Sequence, residues 1–221
     1  MSKPPRIRVP NLPEALSASY DRVAENYNEM IVKSKYGGPT WFFETCQSIA
    51  KPEIRVLDLA CACGNVGQEI HRRNPSANLI GLDIAPKMID QARKTNAYAK
   101  LLVHDLNMPI AAVPAQTIDL ALALGCLEFV NDLEMTLKEI RRTLVAGGEF
   151  YLTLQCHNPE DLNKPAVTSS GPFQHYAYTA NEARDLFSKT GFDVKTLKEN
   201  TGYVASTGFA TPYLFIEAVA L

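Results

Sequence analysis

The chain has 221 residues, 46% of them hydrophobic and 21% charged, with a net charge of −2; this suits one domain over residues 1–221 with a full core. So even a charge balance carries no footprint for nucleic acid or an anionic membrane surface. The opening MSKPPRIRVP has no apolar run of signal-peptide length, and no stretch approaches a membrane span, so the expectation is a cytoplasmic protein, as a monomer or homodimer.

Residues 1–12 are proline-rich and read as a tail. From Leu12 the pattern turns helical. Tyr20, Val23, Ala24 and Tyr27 fall at i, i+3, i+4 and i+7, one covered helix face. A second helix is expected over 40–50, with Trp41, Phe42 and Phe43 as core packing or, less simply, a pocket wall. Arg55-Val-Leu-Asp-Leu is a short apolar run closing on an acid, the pattern of a buried parallel strand. Small residues Ala60, Ala62, Gly64 and Gly67 follow, then helical Gln68-Glu-Ile-His-Arg-Arg. Short side chains let the chain turn tightly from strand to helix and let a ligand approach the main chain.

Asn78 to Asp83 repeats the apolar strand ending in an acid. Asp83 lies 19 residues beyond Gly64, near the spacing at which a strand-two carboxylate accepts from a ribose diol. Pro86 suits the first turn of the next helix. Residues 99–105 form a third strand ending in Asp105, which is equally a turn former before Asn107-Met-Pro109. Residues 117–124 are a fourth apolar strand, followed by Gly125-Cys-Leu-Glu128. A helix is expected over 131–144, then a Gly147-Gly148 turn and a strand over 149–155. The polar stretch 156–178 has no period and reads as a lid-like loop carrying His157 and His175. A capping box opens a helix at Thr179, and residues 192–197 and 212–221 are two strands close enough to pair antiparallel.

Five cysteines (46, 61, 63, 126 and 156) match no disulfide or zinc framework, so no metal is expected. Four of them fall at or beyond strand ends. They read as small core residues or, at longer odds, as thiolate ligands for a soft metalloid substrate.

The run Asp58-Leu-Ala60-Cys-Ala62-Cys-Gly64 resembles the first motif of the class I S-adenosylmethionine-dependent methyltransferases, Asp/Glu-x-Gly-x-Gly-x-Gly, and the similarity extends from about Tyr20 to the C-terminus. Asp83-Ile-Ala-Pro-Lys-Met88 resembles the second motif, and the 131–155 helix, Gly-Gly turn and strand resemble the corresponding family segment. The resemblance implies an α/β fold: a doubly wound, seven-stranded, Rossmann-like mixed sheet with an antiparallel C-terminal hairpin, a helical lid within residues 1–50 and a core over 51–221. It further implies S-adenosylmethionine as cofactor, S-adenosylhomocysteine as product and a small-molecule acceptor. The implied cofactor contacts are Tyr20 and Tyr27 as lid, Asp58, Ala60, Ala62 and Gly64 at the turn, Asp83 on the ribose, and Ile84 and Met88 against the adenine. Asp105 and Leu106 would read the ring edge, and Gly125 would complete the set.

Ala60 and Ala62 stand where the family carries glycine, which places the departure on cofactor affinity. The segment after strand four lacks the Asn/Asp-Pro-Pro-Tyr signature of enzymes that methylate planar amide or exocyclic amino nitrogens. Candidates for proton transfer are His175 and His157, with Glu128 either a substrate ligand and weak base or simply an acid at a helix N-terminus. Two other readings compete: a non-catalytic or regulatory member of the same fold with a weakened cofactor site, and an NAD-type oxidoreductase. The second fits the Asp58 and Asp105 motifs poorly and lacks a Tyr-x-x-x-Lys pair.

Overall fold

Nine strands and seven α-helices are found among the described residues, and their order explains where a site can form. The computed structural model describes residues 10–157, 167–170, 173–204 and 210–221. The N-terminal part gives helices α1 (Pro13–Val23), α2 (Tyr27–Ser34) and α3 (Gly38–Thr45), then a 3-10 turn at Ser48–Ala50. Strand and helix then alternate: β1 (Arg55–Leu59), α4 (Asn65–Arg73), β2 (Asn78–Asp83), α5 (Pro86–Lys94), β3 (Lys100–Val103), β4 (Ile118–Ala123), α6 (Leu133–Thr143) and β5 (Leu144–Gln155). A small hairpin, β6 (Val167–Ser170) and β7 (Phe173–Tyr176), precedes α7 (Ala180–Lys189), β8 (Phe192–Val204) and β9 (Ala210–Ala220).

The large sheet runs β3-β2-β1-β4-β5-β9-β8. β1 to β5 pair in parallel, and β9 is antiparallel to both β5 and β8. The chain leaves β1 toward β2 on one side and returns to β4 on the other, so a crevice opens outside the carboxyl ends of β1 and β4. Strands β1 and β4 are buried nearly throughout because helices cover both faces. The doubly wound mixed sheet with its antiparallel C-terminal pair is therefore the architecture that the resemblance implied.

Several boundaries differ from the sequence reading, each for a local reason. Tyr20 and Tyr27 do not share one helix, because the chain breaks at 24–26, where the Ala24 carbonyl takes the Cys63 thiol at 3.4 Å. The 40–50 helix is two pieces, α3 and the 3-10 turn. Its aromatics pack inward, with Phe42 fully buried and Trp41 against Tyr151 and Phe215. Gly147 and Gly148 lie inside β5, where a register shift against β4 absorbs them. β8 reaches Val204, well past the expected end, because an edge strand exposes a polar face that hides its pattern. The polar stretch read as a lid-like loop contains the β6–β7 hairpin; its residues 158–166 and 171–172 lie outside the described residues, as do residues 1–9 of the expected tail. All five cysteines are free and buried. Among the described residues no cluster could hold a metal ion, and no helix is long and apolar enough to cross a membrane.

Tyr98 locks α4 against the sheet. Its ring lies over Gly67 of α4 and Gly81 of β2, and its hydroxyl donates to Asp58 Oδ2 at 2.6 Å. A Cβ on Gly67 would overlap that ring. Gly67→Ala is therefore expected to lower stability by about 2 kcal/mol or more, roughly 4–8 °C in Tm, as read by thermal unfolding.

Candidate functional site

The crevice is shaped by the turn from β1 into α4. Ala60 and Ala62 both hold left-handed backbone, at φ +56° and +47°, and Gly64 follows at +83° as the residue before α4. For an alanine this region costs about 1–2 kcal/mol. The turn persists because it is fastened across the sheet: the Cys61 N–H donates to the Leu82 carbonyl at 2.8 Å, and the Ala62 N–H donates to Asp83 Oδ2 at 2.9 Å. Asp83 Oδ1 accepts from the Ala85 N–H at 2.9 Å. One carboxylate thus ties the turn after β1 to the start of α5.

A cavity of about 630 Å³, part of it open to solvent, lies over this turn, within the usual size for a small-molecule site. Nine of the twelve residues expected at a cofactor line it. Tyr20 and Tyr27 come from the N-terminal cover, Ala60 and Ala62 from the turn, Asp83 and Ile84 from the end of β2, Asp105 and Leu106 from beyond β3, and Gly125 from beyond β4. Tyr20 and Tyr27 reach it from two helices and meet edge-on, 6.3 Å apart. The cover is held by Asp21 Oδ1, which accepts from the Lys87 N–H, and by Asn28, whose Oδ1 accepts from Asn65 Nδ2.

Asp58, Gly64 and Met88 are placed elsewhere. Asp58 sits beneath the Tyr98 hydroxyl, Gly64 packs against Ala92 and Tyr98, and Met88 is fully buried beside Cys63. Asp105 serves as turn former and cavity wall at once: its Oδ1 accepts from the Asn107 backbone and side chain, which leaves Oδ2 toward other partners.

The three proton-transfer candidates do not converge. His175 on β7 stands edge-on to the Phe129 ring at 4.6 Å, behind that cavity-lining residue, with Nδ1 3.2 Å from Gln155 Oε1. Burial pulls its pKa down. His157 lies at the end of β5, where its backbone N–H donates to the Tyr178 carbonyl. Glu128 is the candidate set among polar groups of the interior. It is 1% exposed, in the short turn between Cys126 and Phe129, and accepts from the Tyr213 hydroxyl at 2.6 Å.

Beside it stands a cluster that sequence reasoning did not anticipate. Tyr36 and Tyr203 stack at 4.3 Å, and Tyr213 meets both edge-on. The Tyr36 hydroxyl shares a 2.7 Å hydrogen bond with Thr153 Oγ1, which also accepts from the Gly125 N–H. These residues belong to no local motif; the pairing of β5, β9 and β8 brings three of them together, and the link between α2 and α3, fastened by the Gly37 N–H on the Gly202 carbonyl, adds Tyr36. Asn11 was also missed. Its side chain bridges the Phe129 carbonyl and the backbone of Gln174, joining the N-terminal segment to the cavity rim.

Burial pushes the carboxyls of Asp58 and Glu128 up to about 7 and that of Asp83 up to about 6. Unfolded carboxyls titrate near 4. Between about pH 4 and 7 the native state therefore holds protons that the unfolded chain has released, and their stabilising contribution is lost as pH rises through 6 to 7. His175 acts in the opposite sense below about pH 6.5, but it is one group against three. The ligand-free protein should unfold several degrees higher at pH 5 than at pH 8, and Asp58→Asn should reduce that difference; thermal scans at both values check it.

A family model described as a methyltransferase domain matches residues 56–148. A trans-aconitate 2-methyltransferase of Rhodopseudomonas palustris is 31% identical over 143 residues, 62% of this chain and 53% of that protein. A malonyl-[acyl-carrier protein] O-methyltransferase of Legionella pneumophila is 27% identical over 176 residues, 77% of this chain and 59% of that protein. The chain thus spans just over half the length of these curated relatives. In fold, the solved structure of the [4+2]-cyclase SpnF superposes with a TM-score of 0.75 at 13% identity, over 96% of this chain and 97% of that one. The motif, the sheet order and these likenesses together make the chain similar to the class I S-adenosylmethionine-dependent methyltransferases, in sequence over the matched core and in fold over nearly its whole length.

Proposed function

We propose that the protein transfers a methyl group from S-adenosylmethionine to a small-molecule acceptor. The observation that carries this reading is the cavity at the β1/β4 crevice in which Asp83, Asp105, Ile84 and Leu106 meet the small-residue turn. The residues fit the cofactor. A carboxylate has about four acceptor positions; Asp83 uses two on backbone N–H groups, which leaves two for a ribose diol. Asp105 Oδ2 is available to an amino group, and Ile84 and Leu106 offer apolar flanks to a ring. When bound, the cofactor supplies an electrophilic methyl carbon on a positively charged sulfur. The chain's own part is to hold donor and acceptor in line, to exclude water beneath Tyr20 and Tyr27, and to take a proton where the acceptor must lose one.

A second reading, a non-catalytic member of the family, rests on the two strained alanines. Their methyl groups line the cavity at positions where glycine would relax the backbone. The likeness to a protein named as a cyclase supports the point that this fold by itself does not fix the reaction.

Calorimetric titration with S-adenosylmethionine, S-adenosylhomocysteine and NAD separates these readings. Binding of both adenosyl ligands without NAD is the expected result; absence of adenosyl binding would overturn the enzymatic reading. Asp83→Asn keeps the volume and one acceptor oxygen, and should weaken adenosyl binding by about tenfold or more. Because the carboxylate also pins the turn, a fall in Tm is expected beside the loss of affinity. Ala60→Gly with Ala62→Gly should tighten binding, since it removes two methyl groups from the wall, and should raise Tm by relieving about 2–4 kcal/mol of backbone strain.

A further inference from the structure

Beyond the residues proposed for ribose and adenine, the cavity wall includes Gly125, Cys126 and Phe129. A Cβ built on Gly125 would lie 2.7 Å from the Tyr203 hydroxyl and 3.1 Å from that of Tyr36, so two phenol oxygens converge on this point. Immediately along the chain is Glu128. Its Oε1 accepts from Tyr213, while Oε2 is fully buried with no hydrogen-bond partner among the described residues. A buried carboxylate oxygen without a donor costs about 1–3 kcal/mol or more, which a ligand bearing N–H groups would recover. Burial raises the hydroxyl pKa of Tyr20 and Tyr27, both cavity-lining, and of Tyr36 and Tyr203, and the Glu128 carboxylate adds a smaller contribution to each. Glu128 therefore lies within electrostatic range of both the cover and the tyrosine cluster.

The balance of charge points the same way. The described residues lining the cavity include Asp83 and Asp105 but neither lysine nor arginine; their one histidine, His104, has Nε2 3.2 Å from the Met108 carbonyl. An anionic acceptor would enter against Asp83, Asp105 and the neighbouring Glu128 with no lysine or arginine to receive it, whereas an ammonium would meet a carboxylate and several aromatic rings, the setting in which a buried cation is stabilised. The two curated relatives are named for trans-aconitate and for a malonyl-carrier O-methylation, acceptors that suit a carboxylate-binding site. The groups found here suit the opposite charge.

We propose that the acceptor is an amine, bound as its ammonium against Glu128 and the Tyr36–Tyr203 pair, with Glu128 taking its proton. This inference rests on the methyl-transfer reading. In the step, one N–H proton of the ammonium passes to the Glu128 carboxylate. The freed nitrogen lone pair bonds the methyl carbon, and the carbon–sulfur bond breaks with its electron pair remaining on sulfur. The positive charge thereby moves from sulfur to the methylated nitrogen, and the product leaves as an ammonium.

The test uses the full chain saturated with S-adenosylhomocysteine and three probes with one scaffold: 2-phenylethylamine, 2-phenylethanol and phenylacetate, ranked by ligand-observed NMR. The amine should bind at least about tenfold more tightly than phenylacetate, with the alcohol between them. Glu128→Gln should abolish that preference while leaving S-adenosylhomocysteine affinity within about twofold, since the side chain is remote from the ribose and adenine positions. Equal or tighter binding of phenylacetate overturns the proposal, and so does a lack of binding by all three probes to the loaded protein; both leave the methyl-transfer reading standing. Failure of S-adenosylhomocysteine to bind at all overturns the methyl-transfer reading, and the amine proposal with it. If Glu128→Gln does not fold, the ranking on the unaltered chain decides.

Discussion

The Asp83 carboxylate is the constraint on which the site depends. Two backbone N–H groups, from Ala62 and Ala85, converge on its two oxygens. They hold the turn after β1 in a conformation that two alanines would otherwise leave. The cost of two left-handed alanines is about 2–4 kcal/mol, and hydrogen bonds to a charged acceptor are worth about 1.5–3 kcal/mol each. The terms are of one size, so the carboxylate can hold the strained turn. The cavity floor and the carboxylate that offers its remaining lone pairs to a ligand are therefore one structure.

Asp58 shows how a motif acid can serve the fold as much as the site. It ends the strand before the turn, yet its Oδ2 takes the Tyr98 hydroxyl, and Tyr98 fills the slot that Gly67 and Gly81 leave open. This contact fixes α4 to β2. The residue and its spacing are visible in the chain; the partner, 40 residues away, is not.

Polar groups within the interior divide into two kinds. Asp83 is answered on both oxygens by backbone N–H groups, and in Asp58 as in Asp83 hydrogen bonds moderate what burial does to the pKa. Glu128 is answered on one oxygen only. Its Oε2 is the carboxylate oxygen on which the amine proposal rests.

The sequence by itself determined the parallel core. Four apolar runs closing on small or acidic residues specify β1 to β4, because a strand covered on both faces must be apolar throughout, and Ala60, Ala62 and Asp83 were legible from their positions at strand ends. What only the tertiary structure decided is the far side of the cavity. Tyr36, Thr153, Tyr203 and Tyr213 come from four segments, and β8 carries its tyrosine in a polar stretch with no strand signal. The same holds for Asn11, in a segment read as tail, which closes onto β7 through hydrogen bonds to Gln174. Local patterning reports which face of an element is buried. It does not report which distant residues share that burial, and the tyrosine cluster beside the cavity is built from such residues.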